Sequence, residues 1–432
     1  MKIPQVLLLE VVHAPGNLAK VLTVVGRSGL TIEGLQQSGR TQDKTTWELT
    51  IEMERDELAP LCVELEKIDI VHVKGTSDRV FTRHEGGKIE TGSRVVFEDL
   101  QVLRDVYTPG VARVCLAIQE KPELARRYTG IGRTVAIVTN GTAVLGLGDI
   151  GAVAGMPVME GKAALFHAFG GVSGVPILIE SGDADEIVRT VTSIAPSFGA
   201  IQLEDIRAPE CFEIEERLIE ALDIPVLHDD QHGTAVVVLA ALMSAARITG
   251  VDLTKATIGQ IGLGAAGLGI ARLLNTFGVA GVIGADLSED ALTRLESYGG
   301  RRGSLEDVMA QGDIVVATTG VPGLIKPEMV REGQIVFALS NPDPEIEPRL
   351  ALERGARFAA DGKNINNVLA FPGLFRGAMD AGAARFTDPM LVEASRAISD
   401  AAPEGALIPN ALDKGVHDCV AAAVLGAAVE LD

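Results

Sequence analysis

Thiols are scarce in this chain: four cysteines in 432 residues, Cys62, Cys115, Cys211 and Cys419, all far apart in sequence. That spacing excludes the close cysteine pairs of a zinc site or a redox motif, and the four read as buried thiols in a reducing cytoplasm. Positive charge is also short. With 38 lysines and arginines against 59 acids, the net charge is -21, which argues against a nucleic-acid partner or an anionic membrane surface, although a local basic patch can still hold a phosphate. The amino terminus has no basic stretch leading into an apolar signal core and cleavage site. No apolar run reaches the roughly 18 residues of a membrane span, so a soluble cytoplasmic protein is expected. Tyrosine is rare as well, with three in all. Length excludes a single ordinary core and predicts two or three domains, and 47% hydrophobic residues suffice to fill them.

The most informative stretch is Val226-Leu-His-Asp-Asp-Gln-His-Gly-Thr234. A strand-like run from Ile224 to Leu227 stops at Asp229 and Asp230, and a long Ala- and Val-rich helix pattern begins at Thr234. A second apolar run, Ala200 to Leu203, stops in the same way at Glu204 and Asp205. In open α/β sheets ligands bind beyond the carboxyl ends of strands. Four acids at two such ends suit a hard cation, Mg²⁺ or Mn²⁺, which prefers carboxylate oxygen. The competing reading is that the acids only cap helices.

Residues 3–12 read as a strand ending at His13-Ala-Pro-Gly-Asn17. Leu18, Val21, Leu22 and Val25 then recur at helical spacing, Trp47, Leu49, Ile51 and Met53 alternate as in a strand, and Leu58, Leu61, Cys62, Leu65 and Ile68 return to helical spacing before a last strand near 70–74. This is a ferredoxin-like β-α-β-β-α-β unit. With Pro15-Gly16-Asn17-Leu18 opening its first helix, it resembles an ACT domain. The resemblance implies either a small-metabolite effector site between paired copies or an oligomerisation module with no ligand.

Residues 76–98 read as a charged linker that becomes an arm. Tyr107 sits just before a helix that Pro109 can start and that runs through Val114 and Ile118. It is either a catalytic phenol or a tyrosine with its ring buried and hydroxyl capped. Strands are expected at 134–138, Ala143–Leu147, Val279–Ala285, 313–317 and 335–339. Lys162 opens an apolar helix after Gly161, where desolvation would lower its pKa and free an amine to act as base; the alternative is a lysine that snorkels to the surface. From Ile258 the chain reads strand, Gly262-Leu-Gly264-Ala265-Ala266-Gly267, helix, strand, Asp286. A Gly-x-Gly-x-x-Gly between strand and helix, with an acid at the end of the next strand, predicts a dinucleotide site. Asp286 should take the adenosine ribose hydroxyls. It is followed by Leu287-Ser288-Glu289-Asp290, with no adjacent cation for a 2′-phosphate, which favours NAD over NADP unless Arg294, Arg301 or Arg302 folds back. Thr319 and Asn341 follow later strands, and a loop carries Asn364, Asn366 and Asn367, whose amides can hydrogen-bond a carboxylate.

Taken together, Tyr107-Thr-Pro109, Leu147-Gly-Asp149-Ile-Gly151, Met156-Pro157 through Lys162, Leu203-Glu204-Asp205, His228-Asp229-Asp230 through Thr234, the glycine fingerprint, Ser340-Asn341-Pro342, and Asn366-Asn367 with Phe371-Pro372-Gly373 make residues from about 80 onward resemble a bacterial malic enzyme. An ACT unit precedes some members of that family. The resemblance implies Glu204, Asp205 and Asp230 as divalent-metal ligands, Lys162 as general base, Tyr107 as general acid and Asp229 as the acid that supports the lysine. It implies Gly262, Gly264, Ala265, Ala266, Gly267, Asp286, Thr319 and Asn341 as cofactor contacts, and Asn341, Asn366 and Asn367 as substrate contacts. One departure stands out: Ala143 occupies the place of an arginine that grips the substrate carboxylate in larger members. The expected architecture is α/β, with an ACT-like domain at 1–76, a linker at 77–98, a substrate and metal domain at 99–235, a Rossmann-type doubly wound NAD domain at 236–385, and carboxy-terminal helices at 386–432 packing back on the substrate domain. A homodimer or larger assembly is expected. A malolactic enzyme, an NADP-preferring enzyme and a non-catalytic metabolite sensor remain as alternatives.

Overall fold

The computed structural model describes residues 3–54, 56–76, 79–363 and 365–429; Asn364 lies outside them. The chain divides into two compact units, residues 1–88 and 89–432. In the first, β1 (Ile3–Val12), β2 (Thr31–Arg40), β3 (Lys44–Met53) and β4 (Val71–Thr76) form one antiparallel sheet in the order β2-β3-β1-β4. Helices Asn17–Arg27 and Leu58–Glu66 complete a βαββαβ chain path. Alternate residues of β1 and β3, among them Leu7, Leu9, Leu49 and Ile51, are fully buried, as a sheet with one covered face requires. Gly16 has φ +83, a left-handed conformation that glycine adopts without a Cβ clash. It turns the chain into the first helix, and Asn17 ties that turn back by donating to the Val12 carbonyl at 3.0 Å.

The second unit contains two parallel sheets. One has β5 (Thr134–Thr139), β6 (Ser173–Leu178), β7 (Ala200–Leu203) and β8 (Val226–His228) in the order β6-β5-β7-β8. The other has β9 (Thr257–Ile261), β10 (Gly281–Ala285), β11 (Arg301–Arg302), β12 (Ile314–Ala317), β13 (Ile335–Ala338) and β14 (Phe358–Asp361) in the order β11-β10-β9-β12-β13-β14. That is the doubly wound 3-2-1-4-5-6 order, which reverses between β9 and β12. Central strands are continuous apolar runs, such as Val135 to Val138, because helices cover both faces of such sheets. The two sheets are joined by the helix Asp229–Thr249, which leaves β8 directly and packs on the helices Ala265–Phe277 and Asp388–Asp400. It is the one helix among the described residues long and apolar enough to cross a membrane; here it is a core helix, most of it buried, with two acids in its first turn.

Several local expectations change. Ala143 to Leu147 is not a strand: a single bridge pairs Val144 with Gly148, and Leu145 and Leu147 point to solvent, leaving no ladder to join. The Asp229 helix begins at Asp229 rather than Thr234, because Asp229 and Asp230 suit the positive end of a helix and need not precede it. Lys162 does not open a helix. It lies in the last turn of the helix Ala152–Leu165, which carries Pro157 inside it. The segment after β4 contains a short helix, Arg79–His84. The helix after Tyr107 starts at Val111, two residues beyond Pro109, and β10 starts at Gly281.

Candidate active site

Strands β5, β7 and β8 are neighbours, so their carboxyl ends bring Thr139 to Gly141, Glu204-Asp205 and Asp229-Asp230 to one place. The helix Ala152–Leu165 packs against this sheet and delivers Lys162, which is 7% exposed. Its Nζ donates to Asp229 Oδ2, lies 3.0 Å from Glu204 Oε1, and stands 4.3 Å over the Phe371 ring. Burial by itself pushes the Lys162 ammonium down. The Asp229 and Glu204 carboxylates outweigh it, so the pKa is raised overall. This reverses the expected desolvated, neutral lysine, because the sequence could not show that both carboxylates face the amine. Burial raises the carboxyl pKa of Glu204 and of Asp229, and burial followed by the Asp230 charge pushes Asp205 up to about 7.

Asp205 has φ +53, the one positive φ among the described non-glycine residues. Such a backbone is held by its surroundings: its N–H donates to Asp230 Oδ2 at 2.9 Å and its carbonyl accepts from Ala143 N at 2.9 Å. One carboxylate oxygen from each of Glu204, Asp205 and Asp230 lies within 4.8 Å of the other two. Asp205 Oδ2 is buried without a hydrogen-bond partner. A clustered, all-oxygen donor set with an unsatisfied member fits a hard divalent cation.

At the second sheet, Gly262 has φ +85, and a Cβ on Gly267 would lie 1.9 Å from the Gly262 carbonyl oxygen. Only glycine permits this strand-to-helix turn. It opens the helix Ala265–Phe277 at Ala265 and Ala266, whose backbone N–H groups have no partner within the helix and suit a pyrophosphate. Asp286 accepts from Leu263 N at 2.6 Å and from Ser288 N at 2.8 Å, fixing its carboxylate beside the loop.

The comparisons agree with this geometry. The family profile described as malic enzyme, N-terminal domain, matches residues 86–219, and that of the NAD binding domain of D-isomer specific 2-hydroxyacid dehydrogenases matches 228–322. The chain is 51% identical to NAD-dependent malic enzyme 1 of Bacillus subtilis over 98% of this chain and 97% of that one. The chain belongs to the malic enzyme family. It is also 43% identical to the NAD-dependent malic enzyme of Geobacillus stearothermophilus, over 95% and 91% of the two chains. Among solved structures, the malic enzyme of Pyrococcus horikoshii has a TM-score of 0.77 at 38% identity, covering 82% of this chain and 90% of that one.

In this member of the malic enzyme family the remaining expected residues fall into two groups. Asn367 packs near the first turn of the Asp229 helix: a Cβ on Gly233 would lie 1.9 Å from Asp229 Oδ1 and 3.5 Å from Asn367 Cβ. Thr319 donates its N–H and hydroxyl to Glu345 Oε1 at 2.6 and 2.9 Å, at the switch point of the sheet. By contrast, Asn366 uses its side-chain oxygen to cap a short 3-10 turn at Val368 N, and Asn341 donates to the Gly362 carbonyl at 3.3 Å. Tyr107 stands apart. It is 69% exposed, its hydroxyl has no partner among the described residues, and neither flanking helix, Leu100–Val106 or Val111–Glu120, buries a residue. No hydrogen bond or ring contact joins it to Lys162.

Three supporting residues escaped the sequence reading. Glu215 accepts from His228 N at 2.6 Å and faces His232 Nε2 at 3.1 Å, so it clamps the strand end that carries Asp229 and Asp230. Burial would raise its carboxyl, but His232 holds it below the usual range. Its signal was legible as an acid on the stripe Cys211, Ile214, Glu215, Leu218, a buried helix face where an unpaired charge would be costly. Glu345, fully buried, binds Thr319 and Ser340 together, and Gln202 donates to Glu204 Oε2 at 2.6 Å. Neither of these two residues had a local signal.

Proposed function

We propose that the protein oxidises and decarboxylates L-malate to pyruvate and carbon dioxide while reducing NAD, with Mg²⁺ or Mn²⁺ held by Glu204, Asp205 and Asp230. The observation that carries this reading is a buried lysine set between Asp229 and Glu204 at the rim of a three-carboxylate cluster, in the same compact unit as the glycine loop. A cation held by Glu204, Asp205 and Asp230 would supply Lewis-acid polarisation at the C2 oxygen of malate and offset the carboxylate charge that holds the proton on Lys162, and NAD bound at the glycine loop would supply the hydride acceptor. Lys162 takes the hydroxyl proton, with Asp229 orienting its amine. Asn367 and Asn341 offer amide donors to the substrate carboxylates, in place of the arginine absent at Ala143. Tyr107 returns a proton to C3, which balances the proton taken from the hydroxyl. Its exposed, apolar surroundings support a second copy covering this surface, and we assign the molecule as a homodimer. The βαββαβ unit is read as an ACT-like effector domain with its turn at Pro15-Gly16-Asn17. Of the four thiols expected to be buried only Cys211 is, with Cys62 half-buried and Cys115 and Cys419 exposed, and their being free suits the cytoplasm.

The test is reduced-nicotinamide absorbance with L-malate and Mn²⁺, in parallel with NAD and NADP, with pyruvate measured at the end. NAD reduction matched by pyruvate, and abolished by a chelator, is the expected result. Lactate without free NADH, or turnover untouched by chelation, would sink this reading.

A further inference from the structure

A cavity of about 640 Å³ lies beside the glycine loop, lined by Gly264, Asp286, Ser288, Asp290, Arg294 and Phe212 among others. Asp286 and Gly264 mark it as the space next to the adenosine ribose. Arg294 is the one cation among the described residues that line it. Its guanidinium stacks on the Phe212 ring at 4.6 Å from the centroid and pairs with Glu216 at 2.7 Å. Phe212 and Glu216 come from the helix Glu210–Ala221, whereas Arg294 comes from the helix Glu289–Ser297 that follows β10. The two other nearby arginines are committed elsewhere: Arg302 to Glu289 at 2.9 Å and Glu296 at 2.8 Å, Arg301 to Gln311.

We infer that preference for NAD over NADP is set by two carboxylates, Asp286 and Glu216, and that Arg294 is a latent 2′-phosphate ligand which Glu216 holds out of use. This rests on the dinucleotide reading of the cavity. Asp286 repels a 2′-phosphate directly and takes the ribose hydroxyl it would replace. Glu216 acts by occupying the one guanidinium that, among the described residues, lines this cavity and could meet the phosphate in a forked, charge-assisted contact. Removing Asp286 alone therefore leaves the phosphate with no free cation, and removing Glu216 alone leaves the repelling acid in place.

The experiment is calorimetric titration of the full-length protein with 2′,5′-ADP and, separately, NAD, for the wild type, Asp286→Ser, Glu216→Gln, the double variant, and the double variant with Arg294→Ala. The double variant should bind 2′,5′-ADP at least about tenfold more tightly than Asp286→Ser, the scale of one charged hydrogen bond. Adding Arg294→Ala should remove that gain. A double variant no tighter than Asp286→Ser, or a gain that survives Arg294→Ala, overturns the pairing while NAD binding by the wild type leaves the cofactor reading intact. A folded wild type that binds neither ligand overturns the cofactor reading, and the pair with it.

Discussion

Lys162 is under two opposing influences. Burial disfavours its charge, and two carboxylates in contact with it favour that charge more strongly. In the proposed base role the amine would be usable only when part of the carboxylate charge is engaged elsewhere, which would link the proton on Lys162 to occupancy of the acidic cluster. Accordingly, Lys162→Ala and Tyr107→Phe should each lower kcat by roughly 10²- to 10⁴-fold, the range of one general acid or base, with NAD affinity kept. Stopped-flow turnover with parallel NAD titration checks this, and near-normal kcat in either variant removes its assigned role. Cys211 gives a second test at this scale. It is fully buried, and burial first, then the Glu215 carboxylate, pushes its thiol up to about 12. Because the pKa is raised, Cys211 remains a neutral thiol at every pH below that value. At pH 8 its thiolate fraction is on the order of one in ten thousand, while exposed Cys419 reacts freely. Peptide mapping after alkylation should find Cys419 modified and Cys211 intact; equal labelling would refute the buried environment.

Among the elements, the Asp229 helix has the central task, because its first turn carries the acids and its body forms the core. Its position depends on close contact with the helix Ala265–Phe277 of the dinucleotide sheet. A Cβ on Gly269 would sit 2.4 Å from the Gln231 carbonyl oxygen, next to Asp230. Gly269→Ala must therefore push the two helices apart, at a cost of about 1–3 kcal/mol. A lower melting temperature in calorimetry is expected together with weaker Mn²⁺ binding, since the displaced residue neighbours a proposed ligand. Gly281, with open space around its Cβ position, is the control: Gly281→Ala should change neither, and an equal loss there would mean that the helix contact is not the cause.

For the whole molecule, the proposed homodimer rests on the apolar surface of the arm and the two helices around Tyr107. Val96 is 72% exposed, Phe97 60%, Leu100 71% and Leu116 64%. These exposed apolar side chains fit the proposed contact with a second copy. Sedimentation equilibrium should report twice the chain mass, and Leu116→Asp should shift the protein toward monomer and lower malate turnover together, leaving NAD affinity unchanged. A fully active monomer would show that Tyr107 needs no second copy.

What the sequence determined by itself was whatever is written locally. Apolar runs, period-2 alternation and helical spacing marked three of the four strands and both helices of residues 3–76, while the largely exposed β2 carried no such signal, and the glycine fingerprint with Asp286 marked the doubly wound sheet, because only glycine fits at Gly262 and Gly267. Apolar runs ending in acids placed Glu204, Asp205, Asp229 and Asp230 at strand ends. Tertiary structure decided the rest. The order β6-β5-β7-β8 made two distant acid pairs neighbours, packing of an internal helix brought Lys162 between Asp229 and Glu204, and the sign of the lysine's shift followed from that contact rather than from its apolar flanks. The Ala143–Leu147 strand failed because an apolar alternation forms a strand only where another strand offers it a ladder. Glu215, Glu345 and the Arg294–Glu216 pair acquire their roles only from partners that the fold brings close, and that proximity is a property of the folded chain alone.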